Sequence, residues 1–230
     1  MHQYYYLYYS LFFLTLALLL LSLRKDLRHK SISAFISGAI GGPIIEIFDY
    51  RDYWRPQTLL GKGHISIEDV IFGASVCAIT FLLYPVISGH TIGESKYTTN
   101  QQRRLVLTYA ASAAILFWIL YGIFHVNSVF AVAVLLFIGW LIEVTQRRDL
   151  FKPSLIVGLI FVSLAFCVYL LLISSIGTQY LKETWLLYGT PSGKLLFGRI
   201  PLSELTWFFP VGAFLSVFDL YTSGKQYTKR

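Results

Sequence analysis

Charge is scarce in this chain. Only 13% of its 230 residues are Asp, Glu, Lys or Arg, whereas 56% are hydrophobic; a soluble domain carries roughly a quarter charged residues to cover its surface. The surplus apolar surface, with a mean hydropathy of +0.61, has to face lipid, and the length suits one compact bundle without a separate soluble domain. Cysteine is nearly absent. Cys77 and Cys167 both lie inside apolar runs with no CxxC or Cys/His spacing, which argues against a redox pair or zinc site and for two small core residues. His64, His90 and His125 stand far apart without ligand spacing and read as surface or interfacial side chains. Gly61-Lys62-Gly63 lacks the P-loop pattern, and no GxGxxG precedes a strand-helix unit. No lysine occurs between residues 203 and 221, so the last apolar run has no amine for a rhodopsin-type Schiff base. The net charge of +7 suggests no nucleic-acid partner, because the basic residues sit between apolar runs, as in loops facing anionic lipid and cytoplasm.

What is abundant is apolar sequence long enough to cross a bilayer. Spans are expected at 4–23, 31–49, 67–88, 105–125, 128–146, 153–176 and 203–221, giving an all-α polytopic protein of about seven transmembrane helices. The first run has no basic n-region and no small-residue cleavage site, so it is expected to stay as a helix of the mature protein. Its Tyr4, Tyr5, Tyr6, Tyr8 and Tyr9 resemble an interfacial aromatic belt. Thirteen of the 19 Lys and Arg residues fall on one side: Arg24, Lys25, Arg28 and Lys30; Lys96, Arg103 and Arg104; Arg147, Arg148 and Lys152; Lys225, Lys229 and Arg230. Positive charge stays inside, which predicts an outer N-terminus and a cytoplasmic C-terminus, with the plasma membrane as the expected location. Glu143 beside Arg147 predicts an ion pair one helical turn apart.

Two stretches resemble each other. Glu46-Ile-Phe-Asp49-Tyr50-Arg-Asp52-Tyr53-Trp54-Arg-Pro56 leads to Ile65-Ser-Ile-Glu68-Asp69-Val-Ile-Phe72; Glu183-Thr-Trp185-Leu-Leu-Tyr188-Gly-Thr-Pro191 leads to Ile200-Pro-Leu-Ser203-Glu204-Leu-Thr-Trp207-Phe208. Pro56 and Pro191, like Ile65 and Ile200, stand 135 positions apart, and Glu46 aligns with Glu183 across a short gap. Four spans separate the second helix from the sixth, so the repeat is parallel. The expected plan is repeat 1 at about 1–90, a linking helix at about 100–125 and repeat 2 at about 126–222, all in one transmembrane domain.

Carboxylates opening a helix, here Glu68, Asp69 and Glu204, satisfy free N–H groups and the helix dipole. Glu46 and Glu183 are expected toward helix C-termini, where the dipole disfavours them, and acids at membrane depth tend to face the bundle interior. A protonated carboxylic acid in an apolar pocket acts as a general acid and an ionised neighbour as a base. The interleaved rings, Tyr53, Trp54, Phe72, Trp185, Tyr188 and Trp207, read either as an interfacial belt or as a lining whose π faces stabilise a lipid-soluble cation. Acid, aromatic lining and apolar pocket together fit protonation-initiated cyclisation of a polyene.

On these residues the chain resembles the lycopene cyclase domain family, the small integral-membrane type found as paired three-helix subunits in bacteria and as fused seven-helix proteins in archaea and fungi. Ile65–Phe72 and Ile200–Phe209 are similar to its Pro-x-Glu-Glu-x-x-Phe-Phe signature, with Ser66 where proline is common and Ser203 in place of one glutamate. The resemblance implies cyclisation of acyclic carotenoid ends without net redox change and without a cofactor. It places Glu68, Asp69 and Glu204 in acid/base roles, with Glu46 and Glu183 as second-rank partners. The implied partners are membrane lipid and a lipid-soluble polyene or polyprenoid substrate; a homo-oligomer or biosynthetic partner enzymes are compatible with it. Two other classes compete. Glu46, Asp49 and Asp52 recur every three residues, as in a magnesium-dependent prenyltransferase, although Pro56 predicts that the helix ends before that array completes. A receptor or transporter uses such acids as a proton relay.

Overall fold

A computed structural model describes residues 4–229 apart from Lys62 and His64. The interfacial reading of His64, and Lys62 and Arg230 in the charge asymmetry, lie outside the described residues. The chain forms α1 (Tyr5–Leu23), α2 (Arg28–Asp52), α3 (Ile67–Ser88), α4 (Thr99–Phe117, continued by a π turn over Trp118–Ile123), α5 (Ser128–Gln146), α6 (Phe151–Ile176), the short α7 (Gln179–Thr184) and α8 (Leu202–Ser223). Seven of these are long and apolar enough to cross a membrane, the architecture of an integral membrane protein.

Local chemistry moves several helix ends beyond the apolar runs. Thr98 caps α4 through a box with Gln101, so that helix opens at Thr99. Ser66 and Asp69 form the equivalent box for α3. The helix α2 runs through Asp52, carrying Pro43 inside it. The predicted break before Asp52 therefore does not occur, because Pro56 lies four residues past the helix end and leaves the last acids helical. Glu183 does stand in the last turn of a helix, but not of a membrane span. The helix α6 stops at Ile176, before Gly177 with φ +75°, and Glu183 belongs to α7 rather than to the end of a span.

The helix α3 packs between α1 and α2, α8 packs between α5 and α6, and α3 meets α8 at the centre. Glycine makes the α2–α3 contact. A Cβ on Gly73 would stand 2.9 Å from the Gly42 Cα, and one on Gly38 2.9 Å from the Ala74 Cα. Two backbones this close form the small-residue seam that membrane helices use for contact. Gly73→Ala is expected to force the pair apart and destabilise the fold by about 1–3 kcal/mol, read as a lower melting temperature of the detergent-solubilised protein.

Two arginines close the basic end of the bundle. Arg24 grips Asp26 through Nε (2.9 Å) and Nη2 (2.8 Å), while Nη1 reaches the carbonyls of Pro85 and His90 at the end of α3. Arg147 grips Asp149 through Nε (3.1 Å) and Nη2 (2.5 Å) and reaches the carbonyls of Leu220 (3.1 Å) and Lys225 (3.0 Å) at the end of α8. Arg147 supplies a donor to the Leu220 carbonyl near the end of α8, and Arg24 adds a second donor to the Pro85 carbonyl, which also accepts from the Gly89 N–H (3.1 Å). Both helices then stop at a left-handed glycine, Gly89 and Gly224. Pro85 to Leu220, His90 to Lys225 and Gly89 to Gly224 repeat the 135-residue interval seen between the acidic stretches. The expected Glu143–Arg147 pair is absent: Arg147 turns to Asp149 and α8, which offer it a carboxylate and two carbonyls at once, and Glu143 stays inside the bundle.

At the opposite end the loops after α2 and α7 meet as a short antiparallel bridge between Trp54 and Trp185. The Arg55 N–H donates to the Thr184 carbonyl (2.7 Å), and the Leu186 N–H to the Tyr53 carbonyl (2.8 Å). This fixes the aromatic loops over the acidic helix ends.

Candidate functional site

Beneath that bridge lies a cavity of about 320 Å³. The helices α2, α3 and α8 supply most of its wall, and α1, α5 and α6 complete it. Acids crowd one end: Glu46 and Asp49 from α2, Asp69 from α3 and Glu204 from α8. Below them the wall is apolar, and from Glu204 to Phe218 it follows α8 for roughly 20 Å at 1.5 Å per residue. A long, narrow, apolar chamber with carboxyls at its head suits an elongated lipid-soluble molecule better than a compact polar one.

Each acid has its own partner. The Asp69 oxygens accept from the Tyr6 hydroxyl (2.5 Å), the Ser66 N–H (2.6 Å) and the Ser66 hydroxyl (2.9 Å). Asp69 is both the second half of the α3 capping box and a wall of the chamber. Glu46 is 6% exposed. Its Oε2 accepts from Trp54 Nε1 (3.1 Å), while its Oε1 is buried with no hydrogen-bond partner. Glu204 accepts from the Tyr53 hydroxyl, which also lies 3.2 Å from Ser203 Oγ. Burial first, and then the neighbouring Glu204 carboxylate, pushes the Tyr53 phenol well above the ordinary tyrosine value. Tyr53 therefore stays a donor toward Glu204 throughout the neutral range.

Aromatic rings form a collar at the acidic end in two contact groups. Tyr6 meets Trp54 edge to face at 4.7 Å, Tyr9 lies 5.3 Å from Phe72, and Phe72 stacks on Trp207 at 6.4 Å. These distances lie in the range of favourable ring contacts.

The structure thus brings Glu46, Asp69, Glu204, Tyr53, Trp54, Phe72 and Trp207 to one chamber and leaves four predicted residues outside its lining. Glu68 is fully buried but turned to the loop, where its Oε1 accepts from the Leu59 N–H (2.6 Å). Glu183 is exposed on α7 and accepts from Gln179 Nε2 (2.8 Å). Trp185 and Tyr188 pack behind the chamber wall on Tyr53 and Val129, and Lys182 Nζ lies 5.8 Å over the Tyr188 ring. Adjacent helical residues point about 100° apart, and here Asp69 takes the chamber side of α3 while Glu68 takes the loop side.

Tyr6, Tyr9, Tyr169 and Asp49 also line it, and the sequence reading did not assign them there. The N-terminal tyrosines carry the only local signal. Tyr6, Tyr9 and Phe13 follow helical spacing and are buried, whereas Tyr8 is exposed. Asp49 and Asp52 share Ser128, whose Oγ lies 2.5 Å from Asp49 Oδ1 and 2.6 Å from Asp52 Oδ1, and the Ser128 N–H donates to Asp52 Oδ2 (3.0 Å). The two aspartates thereby hold the N-terminus of α5. Glu46 points away to Trp54, and among the described residues no three His, Cys, Asp or Glu side chains converge as metal ligands. The arrangement does not fit the magnesium-diphosphate array that the three-residue spacing suggested. Comparison with protein-family models, characterised proteins and solved structures finds no match to this chain.

Proposed function

We propose that this protein is a carotenoid or related terpenoid cyclase, built from two parallel three-helix units joined by α4, with its acidic end toward the outer face of the membrane. The observation that carries the reading is the unpartnered Glu46 Oε1 at the head of an apolar, aromatic-lined chamber. Support for the duplicated plan comes from the matching Arg24 and Arg147 clamps and the recurring 135-residue interval.

The chemistry follows from the groups present. The Glu46 carboxyl gives its proton to the terminal double bond of a linear polyene, leaving a tertiary cation. An internal double bond attacks it and closes a carbon–carbon ring. The rings of Tyr6, Trp54, Phe72 and Trp207 offer their negative faces to the migrating charge, and the Asp69 carboxyl, held by Tyr6 and Ser66, lines the same end of the chamber. Glu204, hydrogen-bonded by Tyr53 and Tyr169, receives the proton lost from the ring carbon, and return of that proton to Glu46 resets the site for the next turnover. The product is an isomer of the substrate, so no oxidant, reductant or cofactor enters the balance.

Expression in a host that accumulates lycopene tests this. The expected pigment has unchanged mass, shorter conjugation and a new chromatographic position. Unchanged lycopene in membranes holding folded protein rules out the lycopene reading and shifts the chamber toward another polyprenoid or a carrier role.

A further inference from the structure

Just beyond the far end of the chamber, outside its lining, stands an acid that the cyclisation does not use. Val129 and Leu136 of α5 line the cavity, and Glu143 follows at the same seven-residue spacing, on the same stripe of the helix. It is fully buried, and neither carboxyl oxygen has a hydrogen-bond partner. Such groups are rare in folded proteins and call for an explanation. On α8 the deepest lining residues include Phe214 and Phe218. Both pack on Tyr109 of α4, with ring centres 6.3 and 5.6 Å apart. Gly139, one turn above Glu143, faces Phe214 so closely that a Cβ would stand 2.7 Å from the ring. The glutamate therefore sits just past the phenylalanine floor, at the opposite end of the chamber from Glu46, Asp69 and Glu204.

We infer that Glu143 anchors a hydroxyl group at the far end of a linear isoprenoid whose other end lies among the chamber's acids. This rests on the chamber being the substrate site proposed above. A hydroxyl both donates and accepts, so it can satisfy the two free oxygens of one carboxyl, one of them carrying a hydrogen. The rings of Phe214 and Phe218 and the Tyr109 ring packed on them supply apolar contact for the end of an isoprenoid chain. The anchor makes the site directional: the end bearing the hydroxyl goes to the floor, and the unsubstituted end goes to the acids.

Binding tests it directly. Trp54 and Trp207 line the cavity, so a bound polyene quenches their fluorescence. The full chain in lipid nanodiscs is titrated with an acyclic apolycopenol, bearing one primary alcohol, and with the equal-length polyene hydrocarbon. The alcohol is expected to bind about tenfold more tightly, the worth of one hydrogen bond to a charged or strongly polar group. Glu143→Leu is expected to bring the ratio near one. Glu143→Gln, which still donates and accepts, keeps most of the preference. Equal binding of the two ligands by the parent chain, or an undiminished preference in Glu143→Leu, overturns the anchor. Lycopene conversion is scored separately: turnover without alcohol preference keeps the cyclase and removes the anchor, whereas preference without turnover keeps the anchor and removes the cyclase.

Discussion

Glu46→Gln is expected to lower the rate of polyene cyclisation about a hundredfold or more, the usual worth of a positioned general acid. Glutamine matches the shape of glutamate and can still accept the Trp54 Nε1 hydrogen bond, so the collar stays in place and only the transferable proton is lost. The measurement is the initial rate of product formation in membranes supplied with lycopene, normalised to folded protein. Glu68→Gln is the paired control. Its side chain lies outside the chamber lining and holds the Leu59 N–H, an interaction that a glutamine carbonyl preserves, and its rate is expected within a few-fold of the parent. A parent-like rate in Glu46→Gln removes Glu46 from the acid role. A large loss in Glu68→Gln alone returns the chemistry to the residue that the signature resemblance favours.

The second large effect comes from filling the chamber. Gly41 lines it, and a Cβ built there meets nothing within 4 Å. Gly41→Phe therefore places a ring in open space rather than against a helix. Replacing a helical glycine also removes a propensity penalty of about 1 kcal/mol, so the melting temperature is expected to hold or rise. Turnover is expected to fall on the order of a hundredfold, because a chain displaced by an ångström or more leaves its reacting end out of line with the acid. Gly73→Ala behaves oppositely, losing stability through backbone overlap. The contrast separates occupancy of the chamber from damage to its wall. Full turnover in a folded Gly41→Phe protein places the substrate elsewhere.

The sequence was a good guide wherever one physical property dominates. Hydropathy located all seven spans, since lipid allows few substitutes for a run of apolar side chains. Acids at membrane depth pointed to the chamber, because such groups are costly unless they face the interior. Facing direction was less legible. Glu68 and Asp69 are neighbours in one motif, yet one meets a loop and the other the cavity. Glu183 aligned with Glu46 by its place before an aromatic loop, whereas the structure pairs Trp54 with Trp185 and leaves Glu183 exposed on α7. Tyr6 was hidden in a run of tyrosines that an interface explains equally well; its helical spacing with Tyr9 and Phe13 points to a buried stripe, and contact with Asp69 from another helix gives it a partner. Glu143 shows the same limit, since a partner one turn away existed in sequence but had better bonds elsewhere.

The helix α4 contributes no buried residue. Its ring contacts are divided: Phe117 and Tyr121 rest on Phe48 of α2 (4.8 and 5.5 Å), and Tyr109 rests on Phe218 of α8 (5.6 Å). It therefore adds little to the core, and in the two-unit plan proposed above it serves as the covalent tether between α1–α3 and α5–α8. Its worth is best expressed as a concentration: a tether turns the meeting of two bodies into an intramolecular event, strengthening their association without any new contact between them. Such a segment answers to the bilayer more than to its neighbours. Its lipid-facing side chains need only stay apolar and span the bilayer, whereas the arginine clamps and the glycine seam, each built within one of the two sets of helices it joins, depend on specific partners.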